Sequence, residues 1–189
     1  LLYHDPTPDA LDTHLTYLRA HYTPISLDTL VDALRGRTFR QLPPRSVVIT
    51  IDDGYRSTYE IAFPILKKHG FPATVFLYSD FVGAGDALGW ADLQALLASG
   101  LVDVQAHSKS HRNLLDRIEG ESDARYRLAV ELETRAPREL LERRLPVQVR
   151  HFAYPYGDVN ETVLEVLARQ GYQLGATVNP GGNAFFAQP

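Results

Sequence analysis

Apolar positions along this chain follow two periods in turn. Leu11, Leu15 and Leu18 recur at helical spacing across 11–21, with Asp9 placed to cap. Leu27, Leu30, Val31 and Leu34 share one face of a second predicted helix, 28–35. Residues 46–51 form a continuous apolar and β-branched run, the pattern of a strand buried on both faces. A helix over 57–69 closes at Gly70, and a strand follows over 73–78. The pattern then predicts a helix over 90–99, stopped by Gly100, and a strand over 101–106. Residues 118–145 are rich in Glu and Arg and predict a long solvated helix broken at Pro137. A strand over 149–153, a helix over 161–170 and a strand over 174–178 complete the series, before a turn at Pro180-Gly181-Gly182. At the start, Leu1-Leu2-Tyr3-His4-Asp5 reads as the end of a buried strand, stopped by Pro6 and Pro8. Strand and helix alternate throughout, which predicts a parallel α/β architecture. No repeat or linker divides the chain, so one domain is expected.

Composition narrows the chemistry. A chain of 189 residues can bury a full core without covalent staples. With no cysteine, disulfides, thiolate zinc sites, iron–sulfur clusters and a cysteine nucleophile are excluded. A net charge of −4 and a pI near 6.0 lack the basic surplus of a nucleic-acid or anionic-membrane binder. No apolar run approaches the ~20 residues of a membrane span. Methionine is absent even from position 1, so residues 1–189, read as one domain, are expected to start inside a longer product.

The polar residues that matter stand just past the predicted strand ends, where α/β proteins build their sites. Four groups do so: His4-Asp5, Asp52-Asp53-Gly54, His107 with His111, and Tyr154-Pro155-Tyr156-Gly157. Asp52-Asp53-Gly54 reads either as a capped loop or as a metal site in which one carboxylate binds a divalent ion and the other acts as base. His107 and His111, at i and i+4, are either a surface coincidence or two ligands; with one Asp they form a facial set suited to zinc, cobalt, nickel or iron. Tyr154-Pro155-Tyr156-Gly157 is either a packed turn or a rigid loop offering an N–H to an oxyanion and an aromatic platform to a sugar. Trp90 either walls such a groove or packs in the core. By spacing alone His4 is either a loop histidine or a catalytic one. His14, His21 and His69 read as solvated, and His151 as structural.

Thr50-Ile51-Asp52-Asp53-Gly54, His107-Ser108-x-x-His111 and Tyr154-Pro155-Tyr156-Gly157 resemble, in order, the motifs of the polysaccharide deacetylases, the NodB-homology group or carbohydrate esterase family four. The resemblance implies a distorted (β/α)7 barrel and a divalent metal, usually zinc. It implies Asp52 as general base, Asp53, His107 and His111 as metal ligands, and the Tyr156 backbone as oxyanion donor; Tyr154 and Trp90 are candidate substrate contacts from their own residue type and place. Two departures stand out. Ala153 occupies the place of the arginine that tethers the base, and the late motif carrying the acid histidine is missing. The early Tyr3-His4-Asp5 segment instead is similar to the circularly permuted branch, the poly-β-1,6-N-acetylglucosamine deacetylases of biofilm matrix, which implies His4 as general acid. The activity so implied is N-deacetylation of an exopolysaccharide by a secreted, periplasmic or cell-surface protein, with further domains or export machinery as partners. The alternatives are a chitin, peptidoglycan or O-acetyl-glycan deacetylase, or a carbohydrate-binding relative without activity.

Overall fold

In the structure, a computed structural model that describes residues 1–178, the short apolar runs become strands of one parallel sheet. The elements are β1 (Leu2–Tyr3), α1 (Pro8–His21), β2 (Thr23–Pro24), α2 (Leu27–Arg35), β3 (Ser46–Val47), β4 (Ile49–Ile51), α3 (Phe63–His69), β5 (Ala73–Leu77), α4 (Trp90–Ala98), β6 (Val102–Ala106), α5 (Asp123–Arg144), β7 (His151–Ala153), α6 (Glu161–Arg169) and β8 (Leu174–Ala176). Six strands pair in the order β1-β4-β5-β6-β7-β8, every pair parallel. The predicted turn at 180–182 lies outside the described residues.

The barrel expectation holds in layout. Among the described residues the sheet is a six-stranded half-barrel in which no pairing joins β1 to β8. The run 46–51 also splits: Ser46 and Val47 pair with β2 in a separate two-stranded sheet, and only 49–51 enter the main one.

Alternation along the strands sorts the side chains. Ile49, Ile51, Val75, Leu77, Val104 and Phe152 point outward into the main core beneath the helices. Phe76, Ala153 and Leu174 point inward and pack on Leu27 and Val31 of α2. So α2 fills the concave side of the sheet. A polar lock fastens it there. Asp28 accepts from Arg150 at 2.6 Å and from His151 Nε2 at 2.8 Å. Gln105 Oε1 accepts from the backbone N–H groups of Arg150 and His151. Burial lowers the pKa of His151, against the pull of Asp28, so the neutral ring donates to that carboxylate. His151 is structural, as expected.

Several local expectations are corrected. Thr7 takes the N-cap position of α1 without a side-chain cap bond, and Pro8 opens the first turn; Asp9 lies inside that turn, near the positive end of the helix dipole. The predicted helix 57–69 opens with a π-helical turn over 58–62. α5 runs unbroken through Pro137, which is buried among Val130, Thr134 and Leu141 on its inner face; packing of that face outweighs the lost hydrogen bond. The His69 side chain is nearly buried, bonded to Asp12 at 2.7 Å, and is not solvated.

Tyr154 is the first outward residue after β7, and its ring lies directly on Gly175 of β8. A Cβ at Gly175 would overlap that ring. Gly175→Ala is expected to destabilise the fold by about 1–3 kcal/mol through overpacking, read as a lower midpoint in urea unfolding with an unchanged m-value.

Candidate active site

The strand-end residues converge. Asp53, His107 and His111 bring three potential ligand atoms within 4.8 Å of one another. Asp53 follows β4, and its Oδ1 lies 3.5 Å from His107 Nε2 and 3.2 Å from His111 Nε2. That oxygen is buried and has no hydrogen-bond partner. His107 directly follows β6 and is fixed twice. Its N–H donates to the Leu77 carbonyl at 2.7 Å, and Nδ1 lies 2.9 Å from the Ala153 carbonyl. A carbonyl can only accept, so Nδ1 carries a proton, and Nε2 is the ring nitrogen turned towards Asp53. This is the orientation a metal ligand needs. The donor set, one carboxylate and two imidazoles with a bare carboxylate oxygen between them, fits a divalent borderline metal.

The backbone at this centre is unusual. Asp53 (φ 71°), Ser108 (φ 71°), His111 (φ 61°) and Tyr156 (φ 62°) are four of the six non-glycine residues with positive φ among the described residues. Gly54 follows at φ 88°, where a Cβ would also strike Leu77.

Asp52 faces the concave side, 4 % exposed, with Oδ1 unpartnered. Burial pushes its carboxyl up to about 6, opposed by the nearby His107 and His4 charges. Asp53 differs. Burial would raise it, but the two imidazoles beside it hold it well below the ordinary carboxylate range. Two adjacent carboxylates are thus split, one poised to take a proton and one held ionised. His4 is exposed at the end of β1, and Tyr3 pairs with Ile51, so His4 follows in register with Asp52.

An aromatic wall that the sequence reading missed surrounds His111. The Tyr78 ring is 5.1 Å from it and stacks on Phe81 at 4.9 Å, while Tyr55 meets Phe81 edge-on at 5.4 Å. The exposed Tyr156 ring edges onto His111 at 5.1 Å. The signal existed: Tyr78 stands just past β5, at the same sheet edge as the other site residues.

One expected substrate contact, Tyr154, is corrected. Tyr154 is 2 % exposed and packs outward against Phe152 and Gly175. Burial pushes its phenol up to about 12. Period-two alternation puts it on the core side, opposite Ala153, so it cannot face a groove. Trp90 opens α4, packs against the main core and carries the Arg144 guanidinium 5.0 Å over its ring. None of its described contacts is with a site residue.

The parallel half-barrel thus presents, beside a buried carboxylate, an Asp-His-His cluster that could hold a metal ion. The family is shown by sequence: the polysaccharide deacetylase profile matches residues 39–175, and the chain belongs to that family. It is 28% identical over 207 residues to the poly-β-1,6-N-acetyl-D-glucosamine N-deacetylase of Escherichia coli, covering 91% of this chain and 30% of that protein. Its identity to the Staphylococcus epidermidis protein of the same name is 26% over 177 residues, 91% of this chain and 61% of that one. The chain therefore spans less than two thirds of these relatives. Among solved structures it is similar to IcaB from Ammonifex degensii, with a TM-score of 0.83 at 30% identity, covering 94% of this chain and 82% of that one. The BpsB deacetylase domain from Bordetella bronchiseptica gives a TM-score of 0.80 at 29% identity, covering 89% and 77%. No helix among the described residues is long and apolar enough to cross a membrane.

Asp53→Ala and His107→Ala should each purify without stoichiometric divalent metal by elemental analysis, while Asp28→Asn keeps it. Full metal content in both ligand variants would overturn the assigned cluster.

Proposed function

We propose that this chain removes N-acetyl groups from an N-acetylglucosamine polysaccharide outside the cytoplasm, releasing acetate and leaving free amines. The observation that carries this reading is the pairing of the Asp53–His107–His111 cluster with buried Asp52, whose Oδ1 has no partner. The relatives named as N-deacetylases of that polymer support the substrate. Asp53, His107 and His111 would hold the divalent ion, most simply zinc. Once bound, such an ion supplies Lewis acidity towards an acyl carbonyl and a water molecule.

The chain's own residues carry the rest. Asp52 takes the proton of the attacking water as a C–O bond forms at the acetyl carbon. The Tyr156 backbone N–H donates to the developing oxyanion. His4, at the neighbouring strand end, gives its proton to the amine as the C–N bond breaks. The Tyr78–Phe81–Tyr55 wall and the exposed Tyr156 ring offer faces on which pyranose rings stack. With alanine at 153, the Ala153 carbonyl orients His107, and burial is the largest influence on the basicity of Asp52, opposed by the His107 and His4 charges.

Acetate release from an N-acetylglucosamine oligomer tests this directly. Asp52→Asn and His4→Ala should each lose roughly 10²–10⁴-fold in kcat while staying folded, as expected for a positioned acid or base. A chelator should abolish release and added zinc should restore it. Glycan binding by the metal-loaded protein with no acetate released would instead identify a binding relative.

A further inference from the structure

His107 and His111 are not held alike. His107 ends a strand and has its own two anchors. His111 comes four residues later, off the sheet, and no hydrogen bond of its ring nitrogens is described. Its place depends on the turn 108–111, whose Ser108 and His111 both take the left-handed conformation that non-glycine residues resist.

Glu133 of α5 meets this turn from outside the motif. Its Oε2 accepts from two successive backbone N–H groups, Lys109 at 3.1 Å and Ser110 at 2.9 Å. Its Oε1 accepts from the Ser110 hydroxyl at 2.8 Å. Both carboxylate oxygens are thus spent on two residues of the turn. Glu133 is 8 % exposed, unlike most acidic residues of this helix, and no cation forms an ion pair with it among the described residues. The Lys109 ammonium goes to Asp80 instead, at 2.6 Å. Buried carboxylate charge met only by converging N–H dipoles is costly unless every bond is kept. The opposite side of the turn is tied as well: Ser79 N–H donates to the Ser108 carbonyl and Asp80 N–H to the Lys109 carbonyl. Finally, the Ser108 hydroxyl accepts from the His111 N–H at 2.9 Å, passing the constraint to the ligand residue itself.

We infer that Glu133 is a positioning residue of the metal centre: it clamps the 108–111 turn from α5 and so holds the His111 imidazole in ligating position. This rests on the reading of Asp53, His107 and His111 as metal ligands. Glu133 touches neither metal nor substrate; it acts through the turn. Removing it frees two N–H groups and lets Ser108 and His111 relax towards ordinary φ values, which moves His111 and leaves His107 in place.

The test is zinc affinity of the metal-free protein, measured by competition with a chromophoric chelator in the absence of substrate, together with the visible spectrum of the cobalt form and thermal melting. Glu133→Ala should weaken zinc binding roughly 10–100-fold, the usual cost of losing an outer partner of a ligand, and should alter the cobalt spectrum. Glu133→Gln keeps an oxygen for the two N–H groups and should recover most of that loss. Where the alanine variant does not fold, Glu133→Asp serves: the carboxylate stays but withdraws by one methylene, and zinc should bind more weakly than to the parent. A folded Glu133→Ala or Glu133→Asp with parental zinc affinity and an unchanged cobalt spectrum would overturn the inference, reducing Glu133 to a fold contact. A parent that binds no zinc would sink the functional reading instead.

Discussion

The site depends on backbone held where side chains resist it. A non-glycine residue in the left-handed region costs about 1–3 kcal/mol, and Asp53, Ser108, His111 and Tyr156 all stand there. Together they approach the whole net stability of an ordinary domain, about 5–15 kcal/mol. Such backbone persists only where its surroundings over-determine it. Asp53 is pinned between β4, whose Ile49 and Ile51 are buried, and Gly54, which lies against Leu77. Ser108 and His111 are pinned by hydrogen bonds from α5 and from the loop after β5. The chain bends sharply at each strand end, so the functional group turns back over the sheet instead of continuing into the next helix.

Beneath that edge the sheet must stay rigid although it is not closed. Among the described residues β1 and β8 do not pair, and the concave side is filled from the middle by α2. The Asp28–Arg150–His151–Gln105 network ties α2 to the strands that carry His107 and Ala153. A neutral buried histidine suits this task, since a charged one would need a second partner for Nδ1, which is buried without one. The lower layer thus supports the register that the upper layer needs for chemistry.

How much of this the sequence discloses follows from distance along the chain. Asp52-Asp53-Gly54 and His107-x-x-x-His111 are legible because each group is local and stands at a strand end, where topology alone predicts convergence. The orientation of Tyr154 was also available: in a strand where His151 and Ala153 face inward, residue 154 must face outward. Tyr78 was available from the same strand-end rule. Glu133 was not. It sits in a helix crowded with Glu and Arg, and nothing in its spacing separates the one buried carboxylate from its solvated neighbours. Pro137 misled for a related reason, since a proline's cost is local while the packing that outweighs it is tertiary. The division of 46–51 between two sheets was equally hidden, because a uniformly apolar run carries no mark of where its partner changes.

The alanine at 153 separates an active hydrolase from an inert relative only if an arginine were the sole way to set Asp52. Two features of the site bear on this without it. Burial raises the carboxyl to about 6, which makes it a stronger base than a solvated aspartate, and Asp53, held ionised by two imidazoles, stays available as a ligand. An arginine beside Asp52 would push the other way, stabilising the carboxylate and weakening it as a base. What the tether would add is orientation, and the Asp52 backbone already has some: its N–H donates to the Tyr3 carbonyl, which fixes β4 against β1 and sets His4 beside it. A protein that only bound glycan would gain nothing from burying an unpartnered carboxylate oxygen next to the Asp53–His107–His111 cluster. That cost fits the role proposed for Asp52, in which the oxygen would receive a proton.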